Sequence, residues 1–127
     1  LFRVDTAKRT SGEETLTALT KAIDLSSSKD TNVIEGIRQL GEGWTGEEAL
    51  AIAVYAVLRA SSFQEAVTIA ANHDGDSDST ASIAGQLYGA WHGVEPIPEQ
   101  WIKKLDTREI MDSLCKEFIS LNTGKKK

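Results

Sequence analysis

Hydrophobic positions recur at helical spacing along much of the 127-residue chain. Two sets of such positions each predict an amphipathic helix. The first set is Val33, Ile34, Ile37 and Leu40, and the second is Ile110, Leu114, Phe118 and Leu121. The apolar run ALAIAVYAVL at residues 49–58 predicts a buried helix, because its length is about half of what a bilayer span needs. No stretch alternates polar and apolar residues over a strand's length. We therefore expect an all-α fold.

Paired hydroxyl and carboxylate side chains predict where three helices begin. The capping-box spacing is found in Ser11 with Glu14, Thr45 with Glu48, and Ser62 with Glu65. These pairs predict helices over residues 12–25, 46–60 and 63–71. Further helices are expected over residues 33–40, 80–91 and 108–121, with a short one after Pro98. Gly-Glu-Gly at residues 41–43 predicts a helix end and a flexible turn. We expect these helices to form one domain, residues 1–127.

Charge and composition narrow the classes of partner. The hydrophobic fraction of 40% and charged fraction of 26% are those of an ordinary soluble domain. Fourteen basic and nineteen acidic residues give a net charge of -5, so we expect no nucleic-acid partner. The composition and the short apolar run at residues 49–58 predict no membrane association. The basic residues 125–127 are expected to be a solvated tail.

A single cysteine, Cys115, rules out an internal disulfide and predicts a reducing compartment, which we take to be the cytoplasm. We expect its thiol to be buried beside Leu114 and Phe118. The chain begins with Leu1 rather than methionine and has no signal-peptide pattern, so we expect Leu1 to be a processing or cloning boundary.

Small residues dominate the helix expected after residue 76. Glycine inside a helix costs about 0.5–1 kcal/mol relative to alanine, so its presence asks for a reason. Gly85 and Gly89 lie four residues apart on one face. They predict a close approach by a neighbouring helix or by a ligand.

The segment NHDGDSDST at residues 72–80 carries three aspartates in five positions. An EF-hand is excluded because, counted from Asp74, the sixth position is Ser79 instead of glycine and the twelfth is Gly85 instead of glutamate. At a helix N-terminus, oxygens of Asp76, Asp78 and Ser79 could converge on a hard ion such as Mg²⁺, Mn²⁺ or Ca²⁺. Plain capping of the helix explains the same residues equally well.

The longer segment NHDGDSDSTASIAGQLYGAWHG, with GWTGEEALAIAVYAVLRASSFQEAVTIA before it and IPEQWIKKL after it, closely resembles the C-terminal part of the ADP-ribosylglycohydrolase family. The resemblance covers about residues 41–121. It implies an orthogonal helical bundle with two divalent ions, Mg²⁺ or Mn²⁺. It also implies metal ligation by Asp76, Asp78 and Ser79, and close approach of the substrate to Gly75.

The same resemblance implies hydrolysis of the glycosidic bond between ADP-ribose and a protein side chain, often arginine, or a related ADP-ribosyl small molecule. Tyr88 is a candidate substrate contact, although a buried tyrosine with a satisfied hydroxyl is an equal explanation. His73 and Asp74 are not assigned, and His73 is expected to be a loop residue. For Trp44, Trp91 and Trp101 we favour packing over stacking on adenine.

The chain departs from the family pattern in one respect. The Gly-Asp motif and the Ser/Thr-Asp-Asp cluster of the family's N-terminal half do not occur here. We therefore expect about half of the metal ligands in this chain, no catalytic acid or base, and a complementary N-terminal fragment or self-association to complete the site. Glu48 is expected to cap its helix. Two alternatives stay open: a non-catalytic crystallin-like structural or binding module, and a calcium-stabilised helical domain.

Overall fold

A computed structural model describes residues 11–28 and 30–123, without the side chain of Ser11. Within these residues the backbone forms helices and no strand, which confirms the all-α prediction. The helices are α1 (Ser11–Ser27), α2 (Val33–Leu40), α3 (Gly46–Arg59), α4 (Phe63–Ala71), α5 (Ser77–His92), α6 (Glu99–Lys103) and α7 (Arg108–Thr123). The expectations for the Ser11 cap, the start at Leu1 and the tail at 125–127 lie outside the described residues.

The chain divides into two compact units, one ending at Pro96 and the other beginning at Ile97. The first unit holds α1 to α5 and the second holds α6 and α7. The expectation of one domain stays a prediction. No helix in the described part of the chain is long and apolar enough to cross a membrane.

Helix α3 is the central element of the first unit, because α1, α2, α4 and α5 all pack against it. Half of its residues are buried: Ala49, Ala51, Ile52, Ala53, Tyr55, Ala56 and Val57. Most of these are alanines, whose short side chains let several helices approach one axis closely. The predicted buried helix is therefore confirmed, and the apolar run has a structural explanation.

The largest part of the core joins α3 to the first two helices. It consists of Ala22 from α1, Ile37 and Leu40 from α2, and Ala51, Ile52 and Tyr55 from α3. Arg59 at the end of α3 also stabilises this arrangement, since its guanidinium donates to the carbonyl oxygens of Ser28 (2.6 Å) and Thr31 (3.3 Å). The connection between α1 and α2 is thereby tied to α3.

Two of the predicted helix caps differ from expectation. Ser62 does cap α4, because its hydroxyl accepts from the N–H of Glu65 at 3.1 Å, but the Glu65 carboxylate accepts from Ser61 instead of Ser62. These bonds from the Ser61 hydroxyl and N–H hold the pKa of Glu65 below its usual value. Thr45 makes no side-chain cap bond at all. The capping box predicted for Thr45 and Glu48 is wrong, because the Glu48 carboxylate binds other N–H groups.

In the second unit, α7 has no buried residue, and the burial predicted for Cys115 is wrong. Leu114 and Phe118, its expected neighbours, are exposed as well. The spacing correctly predicted an amphipathic helix, but an apolar face is buried only where another element packs on it. The five-residue α6 of the same unit has no buried residue of its own.

One buried group in the first unit lacks a partner. The Tyr55 hydroxyl has no hydrogen bond in the described structure, and burial raises its pKa. Tyr55→Phe removes this hydroxyl and keeps the ring, so we expect the free energy of unfolding to stay the same or to rise by about 1 kcal/mol. Urea denaturation measures the change. Tyr55→Ala should instead lower it by about 3–5 kcal/mol, because it leaves a cavity. A loss of stability in Tyr55→Phe would show that the hydroxyl has a partner.

Candidate metal and substrate site

The segment that carries the predicted site connects α4 to α5. Residues 72–76, called the acidic loop here, follow the end of α4. Asp76 is the N-cap of α5, and its carbonyl oxygen accepts the first helical bond, from the N–H of Thr80 at 3.2 Å. The predicted helix start among residues 76–80 is confirmed. Asp78 and Ser79 lie in the first turn of α5, where the helix dipole favours negative charge.

A buried hydroxyl holds the acidic loop against the end of α4. Thr80 is fully buried, and its Oγ1 donates to the carbonyl oxygen of Ala70 at 2.6 Å. His73 lies 2.9 Å from the same hydroxyl through Nε2, and its Nδ1 accepts from the N–H of Gly75 at 3.1 Å. Because Nδ1 is an acceptor, the ring proton is on Nε2 and points at Thr80. His73 therefore orders the loop, as expected for a loop residue.

The acidic loop lies against residues 41–43, called the glycine loop here. The N–H of Asp76 donates to the carbonyl oxygen of Glu42 at 2.8 Å. A Cβ placed on Gly75 would overlap the same carbonyl group. Gly75 is therefore required by a backbone contact within the chain, and the predicted approach of a substrate to it stays a prediction.

Asp76 and Asp78 differ in how they use their carboxylates. Asp76 is an N-cap residue by position, yet its side chain makes no cap hydrogen bond. The pKa of Asp78 is lowered, first by the neighbouring Asp76 side chain and then by the N–H groups of Asp78 and Ser79. Asp78 is thus held in its charged form, and the Asp76 carboxylate is not used to cap the helix. The plain capping explanation does not account for Asp76.

These donors fit a hard divalent ion in their chemistry. Two carboxylates and the hydroxyl of Ser79 are oxygen ligands, which Mg²⁺, Mn²⁺ and Ca²⁺ prefer. In residues 11–28 and 30–123, no group of three or more His, Cys, Asp or Glu side chains is placed to hold a metal. The assignment of Asp76, Asp78 and Ser79 as metal ligands therefore stays a prediction.

The structure places Tyr88 away from solvent. It is 7% exposed, and its ring packs edge to face on Phe63 at 5.8 Å and against His92 at 4.3 Å. This geometry favours packing over the predicted substrate contact. A Cβ placed on Gly85 would meet the α4 side chains of Phe63 and Val67 at the ordinary contact distance of 3.8 Å. Nothing described lies within 4 Å of a Cβ on Gly89, so the approach of a neighbouring helix predicted there is wrong, and the alternative approach of a ligand stays a prediction.

The tryptophans are more exposed than expected. Trp44 is 67% and Trp91 is 65% exposed, so neither is buried in the core, although the ring of Trp91 packs against His92 at 4.7 Å. The indole Nε1 of Trp44 donates to the Glu42 carboxylate at 3.0 Å, which fixes an aromatic ring beside the glycine loop. An open cavity of about 520 Å³ also borders that loop, lined by Ile37, Arg38, Glu42, His73 and Asp74 among others.

Sequence reasoning missed the role of Glu48. Its Oε2 accepts hydrogen bonds from the N–H groups of Glu42 at 3.2 Å and Gly43 at 3.1 Å. Gly41 and Gly43 have positive φ values of 126° and 82°, which turns the backbone around the carboxylate. The signal was present as Gly-x-Gly with a glutamate five residues after the second glycine. The expected flexible turn is thus a hydrogen-bonded one.

The sequence matches the ADP-ribosylglycohydrolase family over residues 3–127. This match covers nearly the whole chain, and the all-α fold agrees with it. The chain therefore belongs to the ADP-ribosylglycohydrolase family. The resemblance expected from the segment around residues 72–93 is confirmed.

Several curated proteins are similar to this chain. The ADP-ribosylarginine hydrolase Tri1 of Pseudomonas putida is 37% identical over 71 residues, 56% of this chain and 19% of that protein. ADP-ribosylhydrolase ARH3 of Bos taurus is 29% identical over 95 residues, 66% of this chain and 26% of that protein. An uncharacterised protein of Archaeoglobus fulgidus is 31% identical over 93 residues, 73% of this chain and 30% of that protein. The chain thus spans less than a third of the length of these relatives. No solved structure matches it.

The backbone contact at Gly75 can be tested by adding one methyl group. We expect Gly75→Ala to lower the free energy of unfolding by at least about 1–3 kcal/mol, because the added Cβ overlaps the Glu42 carbonyl. The matched control is Gly89→Ala, which meets open space inside a helix and should raise stability by about 0.5–1 kcal/mol. Urea denaturation of both variants measures the difference. Equal stabilities would contradict the close approach of the two loops.

The buried hydroxyl of Thr80 can be tested separately. Thr80→Val keeps the shape and removes the bonds to Ala70 and His73, so it should lower the free energy of unfolding by about 1–3 kcal/mol. Thr80→Ser, which keeps the hydroxyl, should lose less. Thr68→Val on the exposed face of α4 should stay within about 0.5 kcal/mol. If Thr80→Val were as stable as Thr68→Val, the hydroxyl would not anchor the acidic loop.

Proposed function

We propose that this chain carries part of the divalent-metal site of an enzyme that hydrolyses the glycosidic bond between ADP-ribose and a side chain. The observation that carries the proposal is that the Asp76 carboxylate makes no cap hydrogen bond and lies beside the charged carboxylate of Asp78 at the start of α5. Both residues lie within the family match over residues 3–127. Helix capping alone would leave no reason for an N-cap aspartate that does not cap.

Arginine is the proposed acceptor side chain. Support comes from the relatives of Pseudomonas putida and Serratia proteamaculans, which are named ADP-ribosylarginine hydrolases and are 37% and 36% identical over 71 residues. A related ADP-ribosyl small molecule would present the same sugar and the same anomeric carbon. We therefore propose that the substrate is a compound that carries an ADP-ribosyl group.

The residues of this chain would act on that group as ligands and through their charge. Family members in general use divalent metals, and we propose two ions, Mg²⁺ or Mn²⁺, held in part by Asp76, Asp78 and Ser79. Such ions supply activation of water and a grip on ribose hydroxyls. The carboxylates add negative charge near the anomeric carbon, where an oxocarbenium-like transition state carries positive charge.

We propose that the remaining ligands and the general acid or base come from a complementary N-terminal polypeptide or from a second copy of the chain. The described residues of this chain offer two carboxylates and a hydroxyl, fewer than a pair of ions requires. A reducing, cytoplasmic setting is proposed because the single thiol, Cys115, has no partner cysteine. The alternative of a crystallin-like module is not favoured, since named relatives are hydrolases.

The double variant Asp76→Asn/Asp78→Asn tests the proposal. The parent chain should bind Mn²⁺, measured by the loss of the free-ion electron paramagnetic resonance signal, and the variant should bind it more than about tenfold more weakly. Asp74→Asn is the matched control, because it removes an exposed charge from the same loop without touching the proposed ligands. Equal affinity in the double variant and Asp74→Asn would overturn the ligand assignment.

The same proteins test catalysis. ADP-ribose released from an ADP-ribosyl-arginine peptide is measured by chromatography, with Mn²⁺ or with chelator, in the presence of the N-terminal part of a family hydrolase. We expect metal-dependent release with the parent chain and Asp74→Asn, and none with the double variant. Metal binding without any release under these conditions would favour the non-catalytic module.

A further inference from the structure

The glycine loop has one peptide group that faces two hydrogen-bond partners at once. The carbonyl of Glu42 and the N–H of Gly43 belong to the same planar, trans peptide unit, so they point in opposite directions. On one side the N–H donates to the Glu48 carboxylate at 3.1 Å. On the other side the carbonyl accepts from the N–H of Asp76 at 2.8 Å. Glu48 and Asp76 are therefore joined through a single rigid group.

The local backbone is built around the Glu48 carboxylate. A second N–H, that of Glu42, reaches the same Oε2 at 3.2 Å. A Cβ on Gly41 would come within 2.5 Å of the carboxyl carbon of Glu48, so glycine leaves the room that the carboxylate occupies. Gly43 is buried, and a Cβ there would meet Cγ2 of Thr80 at 2.9 Å. The glycine loop is thus fixed on both sides, by Glu48 and by the start of α5.

We propose that Glu48 is a positioning residue for the metal ligands at the start of α5. By holding the N–H of Gly43, its carboxylate aims the Glu42 carbonyl at the Asp76 amide and so sets where Asp76 and Asp78 lie. A charged acceptor at one end of the peptide group also polarises it and strengthens the bond at the other end. Glu48 itself touches neither aspartate. The proposal rests on the proposed metal site for its functional meaning, and on the peptide geometry alone for its structural part.

Glu47, the residue before Glu48 in the first turn of α3, provides a matched control. Glu47→Ala removes the same charge from the adjacent residue, but in the described part of the chain the Glu47 carboxylate makes no bond to the glycine loop. Comparing Glu48→Ala with Glu47→Ala therefore separates the hydrogen bonds from the general attraction of an acidic surface for cations. Glu48→Gln keeps an acceptor oxygen and removes only the charge.

The first measurement is hydrogen exchange of the Asp76 amide by nuclear magnetic resonance, without metal. Glu48→Ala should make this amide exchange about tenfold faster or more, because its acceptor is no longer held in place. Glu48→Gln should keep most of the protection, and Glu47→Ala should keep all of it. Unchanged protection in Glu48→Ala, or equal losses in Glu48→Ala and Glu48→Gln, would overturn the proposal.

The second measurement is Mn²⁺ affinity in the same variants. Residues that orient ligands typically change affinity by about 10–100-fold, so we expect Glu48→Ala to bind Mn²⁺ at least tenfold more weakly than Glu47→Ala. Glu48→Gln should restore most of the loss. Equal affinities in the two alanine variants would overturn the functional part. If the parent chain bound no Mn²⁺ at all, the metal site would fail, whereas the exchange of the Asp76 amide would still decide the positioning role.

Discussion

The hydrogen bond from the Asp76 N–H to the Glu42 carbonyl is the contact on which the rest of the candidate site depends. It joins two loops that lie far apart in sequence and brings their backbones together without an intervening side chain. At this place the approach requires glycine at position 75, because a Cβ there would overlap the Glu42 carbonyl. The bond also fixes the first residue of α5, since Asp76 is its N-cap. Every proposed ligand is placed relative to this one donor.

Helix α3 contributes both to the packed core of the first unit and to the candidate site. Its alanine-rich surface lets α1, α2, α4 and α5 pack on one axis, and its first turn supplies Glu48 to the glycine loop. Because α4 and α5 both pack on α3, the loop between them emerges at a defined place beside the glycine loop. A change in the core of α3 would therefore reach the aspartates through two routes, the helix packing and the Glu48 carboxylate. The site is built on rigid elements, although its ligands follow a loop.

The helices could be predicted because their signals are local. Apolar spacing at Val33, Ile37 and Leu40 and the serine cap of α4 depend on residues within one or two turns, and both were correct. The N-terminal placement of the aspartates on α5 was also correct. Their use as ligands is not established by the fold and stays a prediction.

The incorrect predictions share one cause, which is that the spacing of residues along a helix does not show what the helix packs against. Glu48 lies three residues after Thr45, as in a capping box, but its carboxylate accepts hydrogen bonds from two N–H groups of the glycine loop instead. Cys115 lies on an apolar helix face, but burial depends on which element packs there. Gly89 has the spacing of a packing position and faces open space. Each error concerns what lies outside the helix itself, the preceding loop for Glu48 and the presence or absence of a packing element for Cys115 and Gly89, which periodicity within one helix cannot supply.

At the start of α5, the hydrogen bonds of the backbone groups can be considered separately from those of the carboxylates. The backbone groups are satisfied inside the chain: the Asp76 N–H by Glu42, the Gly75 N–H by His73, and the Asp76 carbonyl by Thr80. The Asp76 carboxylate makes no cap hydrogen bond, and it lies close to the Asp78 carboxylate at the N-terminus of α5. The Asp76 side chain and then the N–H groups of Asp78 and Ser79 lower the pKa of Asp78, so this helix start favours the charged form of that carboxylate. In the proposed site a bound cation would add to the stabilisation by those N–H groups, so the fold fixes where the two carboxylates lie and their role as ligands stays a prediction.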